Sequence, residues 1–263
     1  MKNNNNIKAI IFDLSGTLID FGSLATIYTM KNVFKEKKIL IFNETIQKDM
    51  GIKKINHIKK IINYPKIRSE WYKIYKKKIT TKQIKEISLS FDKRLVIEVN
   101  KRLNIIPNVK KLFKILRKNN IKIGATTGYP KKITKLILNY LKKNKIFLDY
   151  CISDDEVKKS RPSPDMCLKN LRKFKVKHKN AIKVDDSISG ILEGKKAKVI
   201  TIGLISTGIS VGIKKNEFQN LSLKEKSKIK KTSTKAFRKV KTDYIIEDHF
   251  EFTKLLREKF NIY

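Results

Sequence analysis

The sequence has 263 residues, of which 40% are hydrophobic, enough for one large domain or for a core with a smaller inserted domain. No uninterrupted apolar run of about 18 residues occurs, so we expect no membrane-spanning helix. The formal charge of +38 suggests polyanion binding, but only 8 of the 62 basic residues are arginine, the residue suited to bidentate phosphate and base contacts. We therefore expect non-specific attraction to polyanions at low salt and no specific nucleic-acid function.

The first predicted element is a strand over Ile7–Phe12, a short continuous apolar run typical of a strand buried on both faces. The residues before it are not interpreted as a signal peptide, because the apolar run is short and stops at Asp13. Two cysteines, Cys151 and Cys167, fall in a predicted strand and a predicted helix. We expect reduced thiols and a cytoplasmic location.

A long helical region follows, in which Ile, Leu, Val and Phe recur every three or four residues. Pro65 and Thr80–Thr81 interrupt it, and the threonines are suited to capping the next helix. An all-helical block between a first strand and the rest of the sheet predicts an inserted second domain. The predicted bounds are residues 24–103 for this helical cap domain, residues 1–23 and 104–263 for the core, and Gly22–Ser23 and Asn104–Pro107 for the hinges.

After Pro107 the pattern alternates between strands and helices. This alternation predicts an α/β fold, a Rossmann-like core with a doubly wound parallel sheet and helices on both faces. The segment Leu221–Lys241 is the most basic and least apolar, and is predicted to be a solvated helix or a mobile loop. An edge strand and a closing helix follow it. The other predicted strands are IKIGATT, FLDYCIS, NAIKVDDS and KVITIG, and the helices between them are VKKLFKILRKN, PKKITKLILNYLKKN, SPDMCLKNLRKF and ISGILEGKKA.

Ligands of doubly wound sheets bind beyond the carboxyl ends of the strands, so the residues that follow each strand are site candidates. A carboxylate nucleophile, hydroxyls, a cation and a carboxylate pair would meet there, a set that suits phosphoryl chemistry. Asp13 and Asp186 are predicted to hold Mg²⁺, and Thr127 and Arg161 to hold the phosphoryl oxygens. The full set of candidates is Asp13, Ser15, Thr17, Thr126–Tyr129, Arg161 and Asp185–Ser187.

Ser15 stands two residues after the candidate nucleophile, where a phosphatase built this way carries an aspartate that protonates the leaving group. A serine hydroxyl cannot act as a general acid near neutral pH. The helical block offers a different group, because Met50, Lys54 and His57 lie within a narrow arc if the run MGIKKINH is helical. Lys54 is a candidate for Schiff-base formation if desolvation and nearby cations lower its pKa from about 10.4.

These motifs resemble those of the haloacid dehalogenase superfamily, and most closely its phosphonatase branch. The resemblance is carried by IFDLSGTLIDFGS, MGIKKINHIKKII followed by YPKIRSEW, IKIGATTGYP, RPSPDMCLKN and IKVDDSISGILEG. The branch has a small residue, usually alanine, where Ser15 stands, and it implies Lys54 as the Schiff-base lysine with Lys53 beside it. The resemblance implies catalytic roles for Asp13, His57 and Tyr129. It implies that Met50, Thr126, Thr127 and Arg161 bind the substrate. It implies that Asp13, Asp186 and the backbone carbonyl of Ser15 bind the metal.

The resemblance also implies a reaction, the Mg²⁺-dependent hydrolysis of phosphonoacetaldehyde to acetaldehyde and phosphate. An iminium on Lys54 would accept the electrons of the broken carbon–phosphorus bond, while Asp13 forms an aspartyl phosphate that water hydrolyses. A homodimer paired through the caps is implied as well.

Two alternatives stay open. The protein could be a phosphatase or phosphomutase acting on a phosphate ester, and Lys158 or Lys159 could replace Arg161, since the loop before that arginine is one residue longer than in the branch.

Overall fold

The protein folds around one sheet of parallel strands, and the computed structural model describes residues 6–263. All strand pairings in this sheet are parallel. The strands are β1 (Ala9–Phe12), β2 (Lys122–Thr127), β3 (Tyr150–Ser153), β4 (Ala181–Asp185), β5 (Ile200–Leu204) and β6 (Tyr244–Ile246).

The strand order is β3-β2-β1-β4-β5-β6, so the first strand in the chain lies in the middle of the sheet. β1 is the buried apolar run that the sequence predicted, paired with β2 on one side and β4 on the other. Its alternate residues face opposite ways: Ile10 and Phe12 join the main core, whereas Ala9 and Ile11 join a second apolar cluster. Both faces are covered, which confirms the doubly wound parallel sheet.

The described chain between β1 and β2 contains helices and no strand that joins the sheet. The predicted interruptions are confirmed, since Pro65 opens a helix and Thr80 forms a reciprocal capping box with Gln83. The first and last of these helices pack against each other. The helices are α1 (Leu24–Lys35), α2 (Asn43–Gln47), α3 (Lys54–Asn63), α4 (Pro65–Tyr75) and α5 (Thr81–Asn100).

Further helices pack on the two faces of the sheet. The first of them buries Val109, Leu112, Phe113 and Leu116, at the three- and four-residue spacing of an amphipathic helix. The helices are α6 (Val109–Lys118), α7 (Lys131–Lys143), α8 (Asp165–Phe174), α9 (Ile188–Lys196), α10 (Lys215–Asn220), α11 (Leu223–Lys239) and α12 (His249–Phe260).

The expectation that the run MGIKKINH is one helix is wrong. Helix α3 begins at Lys54, so Met50 lies in the preceding turn and not on an arc with Lys54 and His57. The physical reason is Gly51, whose φ of +91° is in the left-handed region. A side chain there would also collide with Ser189 of the core, since a Cβ would fall 2.4 Å from its Oγ.

The basic segment after Leu221 is a helix and not a loop. Ser222 and Glu225 form a capping box at the start of α11, and the helix buries Phe237 against the core. Cys151 and Cys167 are free thiols, in β3 and α8 as predicted. No helix among residues 6–263 is long and apolar enough to span a bilayer.

Candidate active site

Three buried carboxylates meet at the carboxyl edge of the sheet. Asp13 follows β1, and Asp185 and Asp186 stand where β4 ends. One oxygen of each lies within 4.8 Å of the others. Burial and the charge of Asp185 raise the pKa of Asp13 to about 6, and burial with the charge of Asp13 raises the pKa of Asp186 as well. Burial and mutual repulsion thus both oppose full ionisation of these carboxylates.

Asp186 is held in place by groups from distant parts of the chain. The hydroxyls of Thr17 and Ser23 each donate to its carboxylate at 3.1 Å, and the backbone N–H of Ile209 donates at 2.7 Å. The carbonyl of Thr17 in turn accepts from Nε2 of His249, a buried residue of α12, at 2.5 Å. Helix α12 thus stabilises the loop that follows the candidate nucleophile.

Arg161 brings positive charge to this edge. Its Nη1 donates to Asp13 Oδ1 at 2.8 Å, its Nε donates to Glu193 Oε2 at 2.8 Å, and its Nη2 donates to the hydroxyl of Thr126 at 2.6 Å. The side chain is only 1% exposed. Because Lys158–Lys159 are exposed, the structure places Arg161, and neither lysine, against the candidate nucleophile.

Lys54 enters the same cavity from the first turn of α3. Its side chain is buried, and Nζ lies over the ring of Tyr129, 5.3 Å from the centroid. Burial lowers the pKa of Lys54 to about 8, against the opposing attraction of Asp154 and Asp13. Lys53 is exposed to solvent. Of the two lysines, Lys54 is therefore the one that lies in the cavity.

A small cavity of about 30 Å³ separates the lysine from the carboxylates. Thr126 and His57 do not line it: the hydroxyl of Thr126 is directed to Arg161, and Nε2 of His57 to the carbonyl of Ile46. The predicted site residues that do line it are Asp13, Ser15, Met50, Lys54, Thr127, Tyr129, Arg161 and Asp186.

His57 is buried and lies outside this cavity. Its Nε2 lies 2.9 Å from the carbonyl of Ile46, so this nitrogen carries the proton. Its Nδ1 has no hydrogen-bond partner among the described residues. Burial and the charge of Lys54 lower the pKa of the ring to about 3, which leaves it neutral in ordinary buffers. A part in proton transfer stays a prediction.

Ser15 is linked through Asp20 to the start of α1. Its hydroxyl donates to Asp20 Oδ2 at 3.0 Å and accepts from the phenol of Tyr129 at 3.4 Å. The carboxylate of Asp20 also accepts the backbone N–H groups of Leu24 and Ala25, at the start of α1. Both hydrogen-bonding functions of the serine are thus used, and no acid stands at this position.

A second layer of buried charge was missed by the sequence reasoning. Lys183 is fully buried in the middle of β4, with Nζ 2.7 Å from Asp185 Oδ2 and 3.8 Å from Glu193 Oε2. The signal was present in AIKVDDS, because a lysine inside a strand that is buried on both faces has to be paired.

The donor set fits a hard divalent cation. Asp13 and Asp186 face the cavity, whereas Asp185 does not line it. Carboxylate oxygens are the ligands that such cations prefer. The buried cluster holds two more carboxylates than cations, so a divalent ion would balance it. Its members are Asp13, Asp185, Asp186, Glu193, Arg161 and Lys183.

The site has the carboxylates and the arginine at the carboxyl edge of the sheet, and the lysine of α3 lines the same cavity. A family model described as haloacid dehalogenase-like hydrolase matches residues 7–198. The chain belongs to this family. The protein is therefore an enzyme of the hydrolase type, and the fold and family inferred from its motifs are confirmed.

Similar proteins narrow the relationship within the family. The phosphonoacetaldehyde hydrolase of Bacillus cytotoxicus is 30% identical over 251 residues, which cover 95% of each chain. That of Bacillus cereus is 31% identical over 227 residues, covering 85% of this chain and 86% of its own. The crystal structure of a phosphonoacetaldehyde hydrolase-like protein from Oleispira antarctica matches with a TM-score of 0.91 at 29% identity, covering 97% of this chain and 95% of the other.

More distant structures share the fold alone. A β-phosphoglucomutase from Clostridium difficile has a TM-score of 0.69 at 18% identity, with 97% of both chains covered. The architecture is thus common to several activities, and the choice among them rests on the side chains of the site.

Proposed function

We propose that the protein hydrolyses the carbon–phosphorus bond of phosphonoacetaldehyde, giving acetaldehyde and phosphate. The observation that carries the proposal is Lys54, a buried amine with a pKa of about 8 in the same cavity as Asp13. An amine for the aldehyde end and a carboxylate for the phosphorus end suit this substrate. The relatives that bear the name phosphonoacetaldehyde hydrolase support the choice.

The first step is imine formation at Lys54. The neutral amine adds to the aldehyde carbon, and loss of water with uptake of one proton leaves a protonated imine on Nζ. Burial makes the neutral amine accessible near pH 8, where an ordinary lysine is almost wholly protonated. Tyr129 lies under Nζ and stabilises positive charge there, as an aromatic ring does for any cation over its face.

The second step transfers the phosphoryl group to Asp13. A carboxylate oxygen attacks phosphorus, and the electron pair of the carbon–phosphorus bond moves into the protonated imine to give an enamine. Arg161, with Nη1 2.8 Å from Asp13, and Thr127 on the cavity wall bind the phosphoryl oxygens. Protonation of the enamine carbon and hydrolysis release acetaldehyde and Lys54, and water cleaves the aspartyl phosphate.

Asp13, Asp186 and the backbone carbonyl of Ser15 are the proposed ligands of Mg²⁺. When bound, the ion neutralises phosphoryl oxygens and lowers the repulsion between them and Asp13. The protein residues around it keep both carboxylates in place, since Asp186 is fixed by three hydrogen bonds and Asp13 by Arg161.

Residues 24–103 act as a cap over the core in this proposal. The cavity of about 30 Å³ has room for roughly one water molecule, less than the substrate requires. The cap therefore opens to admit phosphonoacetaldehyde and closes to bring Lys54 to it. We place the movement at the hinge where Asp20 joins Ser15 to the start of α1.

Turnover of phosphonoacetaldehyde tests the proposal. The protein is incubated with the aldehyde and Mg²⁺, and acetaldehyde is followed by a coupled alcohol dehydrogenase assay. A phosphate ester of similar size, such as phosphoglycolate, serves as the competing substrate. We expect acetaldehyde and phosphate in equal amounts and only trace ester hydrolysis, because Ser15 offers no acid for an alkoxide leaving group. Efficient ester hydrolysis with no acetaldehyde would instead support the phosphatase alternative.

Two further expectations belong with this function. We propose a homodimer paired through the caps and a cytoplasmic location with both thiols reduced. The free state of Cys151 and Cys167 agrees with reduced thiols. Light scattering coupled to size-exclusion chromatography measures the oligomeric state, and a mass near 30.7 kDa would indicate a monomer.

A further inference from the structure

Thr26, in the first turn of α1, is a buried residue of the candidate site that lies outside all of the sequence motifs. Its side chain lines the same cavity as Lys54 and Asp13. Its hydroxyl lies 3.1 Å from the phenol oxygen of Tyr129, which follows β2. Thr26 and Tyr129 are 2% and 3% exposed, so little water can reach this contact and replace it.

The direction of the hydrogen bonds around Tyr129 follows from Asp20. The carboxylate of Asp20 accepts two backbone N–H groups at the start of α1 and the hydroxyl of Ser15. Because Ser15 gives its single hydrogen to Asp20, it accepts from the phenol of Tyr129. With the phenol hydrogen directed to Ser15, Thr26 is the donor to Tyr129. The hydroxyls thus form a chain that ends on a carboxylate.

Thr26 is the main anchor of the phenol oxygen. At 3.1 Å its hydroxyl is closer to this oxygen than the hydroxyl of Ser15, which lies at 3.4 Å. The contact with Thr26 also survives the loss of Ser15, because the phenol can then donate its hydrogen to Thr26. Since Thr26 stands on the helix whose start binds Asp20, the hydroxyls and the helix form a closed ring of contacts. This ring fixes the tyrosine at the end farthest from its backbone.

The position of the Tyr129 ring affects the charge on Lys54. Nζ lies over the ring, 5.3 Å from the centroid, and both side chains are buried. The protonated imine keeps a positive charge on Nζ, and an aromatic face stabilises that charge as long as it stays beneath the nitrogen. A tyrosine released from Thr26 can tilt about its side-chain bonds, so that part of this stabilisation is lost.

We propose that Thr26 is a positioning residue for imine formation, because its hydroxyl anchors the ring of Tyr129 beneath Nζ of Lys54. Within residues 6–263, this hydroxyl bonds Tyr129 and neither Asp13 nor Arg161. Imine formation should therefore depend on Thr26, whereas phosphate binding should not. The proposal rests on the proposed function for the imine at Lys54.

The test compares Thr26→Val, which removes the hydroxyl and keeps the shape, with Thr26→Ser, which keeps the hydroxyl. Turnover of phosphonoacetaldehyde and the rate of borohydride trapping on Lys54 should both fall about 10-fold in Thr26→Val, as partial loss of a buried cation–π contact implies. Thr26→Ser should restore both to within about 2-fold of wild type. Calorimetric titration of inorganic phosphate in the presence of Mg²⁺ should give the wild-type affinity for both variants.

Thr29→Val is the matched control. Thr29 lies on the next turn of α1, is buried, and donates its hydroxyl to the carbonyl of Ala25 at 2.7 Å instead of lining the cavity. Both valine variants lose one buried hydrogen bond, so thermal unfolding should show similar losses of stability. Turnover should stay at the wild-type level in Thr29→Val. An equal loss of turnover there would overturn the proposal, since the effect would then belong to α1 as a whole.

A double-mutant cycle shows whether Thr26 acts through Tyr129. Tyr129→Phe removes the phenol oxygen that Thr26 binds, so Thr26→Val should slow trapping no further in this background. An equal further loss there, or wild-type turnover of Thr26→Val alone, would overturn the proposal. Thr26→Ala takes the place of Thr26→Val in every comparison if the valine variant does not fold.

Reductive ethylation keeps the test independent of the proposed function. Acetaldehyde and cyanoborohydride modify neutral amines, and peptide mass spectrometry gives the extent at Lys54 relative to Lys53, the exposed neighbour. The ratio should fall about 10-fold in Thr26→Val and stay unchanged in Thr29→Val. An unchanged ratio in Thr26→Val would overturn the proposal. If wild type turns over no phosphonoacetaldehyde, the proposed function fails, and this ratio still decides the role of Thr26.

Discussion

Lys54 of α3 and Tyr129, which follows β2, face each other, with the Lys54 Nζ over the tyrosine ring at 5.3 Å from its centroid. The aromatic ring stabilises a positive charge above its face, whereas burial of the amine destabilises that charge. Burial prevails, and the pKa of Lys54 falls to about 8. The contact joins the amine that we propose for imine formation to the end of β2, where the proposed phosphoryl-binding Thr127 lies.

The first prediction is a pH dependence. Only the neutral amine of Lys54 forms the imine, so kcat/KM should rise with pH to about 8 and then level off. An ordinary lysine would instead give a rise that continues to about 10.4. Initial rates over the range from about pH 6 to 10, with the coupling enzyme in excess, measure the profile. A profile that is flat across this range would contradict the assignment of Lys54.

The second prediction concerns Asp154, whose charge raises the pKa of Lys54. Asp154→Asn removes that charge, so the acidic limb of the profile should move to lower pH. Asp155→Asn is the matched control, because its carboxylate is exposed and accepts the backbone N–H of Lys131 at the start of α7. A shift of equal size in the control would show that the effect is general and not due to Asp154.

The third prediction concerns Asp13. Asp13→Asn keeps the shape of the side chain but removes the nucleophile, so turnover should fall by about 10⁴-fold or more. Imine formation at Lys54 should continue, because the lysine binds the other end of the substrate. Mass spectrometry after borohydride treatment should therefore find an adduct that still carries its phosphono group. A two-carbon adduct without phosphorus in this variant would mean that Asp13 does not attack.

The fourth prediction concerns Arg161. Arg161→Lys keeps one charge but loses the separate bonds to Asp13, Glu193 and Thr126, so inhibition by phosphate should weaken about 10-fold or more. Lys158→Ala, an exposed cation of the same loop, should leave phosphate inhibition unchanged. Equal weakening in both variants would favour the alternative in which a loop lysine holds the phosphoryl group.

The fifth prediction concerns Ser15. Ser15→Ala removes one hydrogen bond to Asp20, which keeps its two backbone donors, so stability should fall by about 1 kcal/mol. Turnover should stay within about 5-fold of wild type, since the hydroxyl is not an acid. Thermal unfolding and acetaldehyde release measure the two effects. A loss of about 100-fold would mean that the hydroxyl takes part in the chemistry.

Much of the fold was predictable because each element has its own local signal. β1 is an uninterrupted apolar run, and the helices between β1 and β2 repeat apolar residues at helical spacing, with Pro65 at the start of α4 and Thr80 at the start of α5. The meeting of Asp13, Arg161 and Asp186 followed from the rule that parallel strand ends share an edge. Lys54 was found by resemblance, since one lysine among many has no local distinction.

The features that the sequence did not predict depend on contacts between residues that are far apart in the chain. The turn at Gly51 that separates Met50 from α3 is a single positive φ inside an otherwise helical pattern. The support of Thr17 by His249 joins residues far apart in the chain. The hydrogen bond between Thr26 and Tyr129 joins residues 103 positions apart.

The most direct test of the mechanism is to trap the imine. Borohydride is added to wild type during turnover of phosphonoacetaldehyde, and the modified lysine is located by peptide mass spectrometry. We expect a two-carbon adduct on Lys54, none in inactive Lys54→Arg, and unchanged trapping and turnover in Lys53→Arg, because Lys53 is exposed outside the cavity. An adduct on Lys53, or full turnover by Lys54→Arg, would contradict the Schiff base at Lys54.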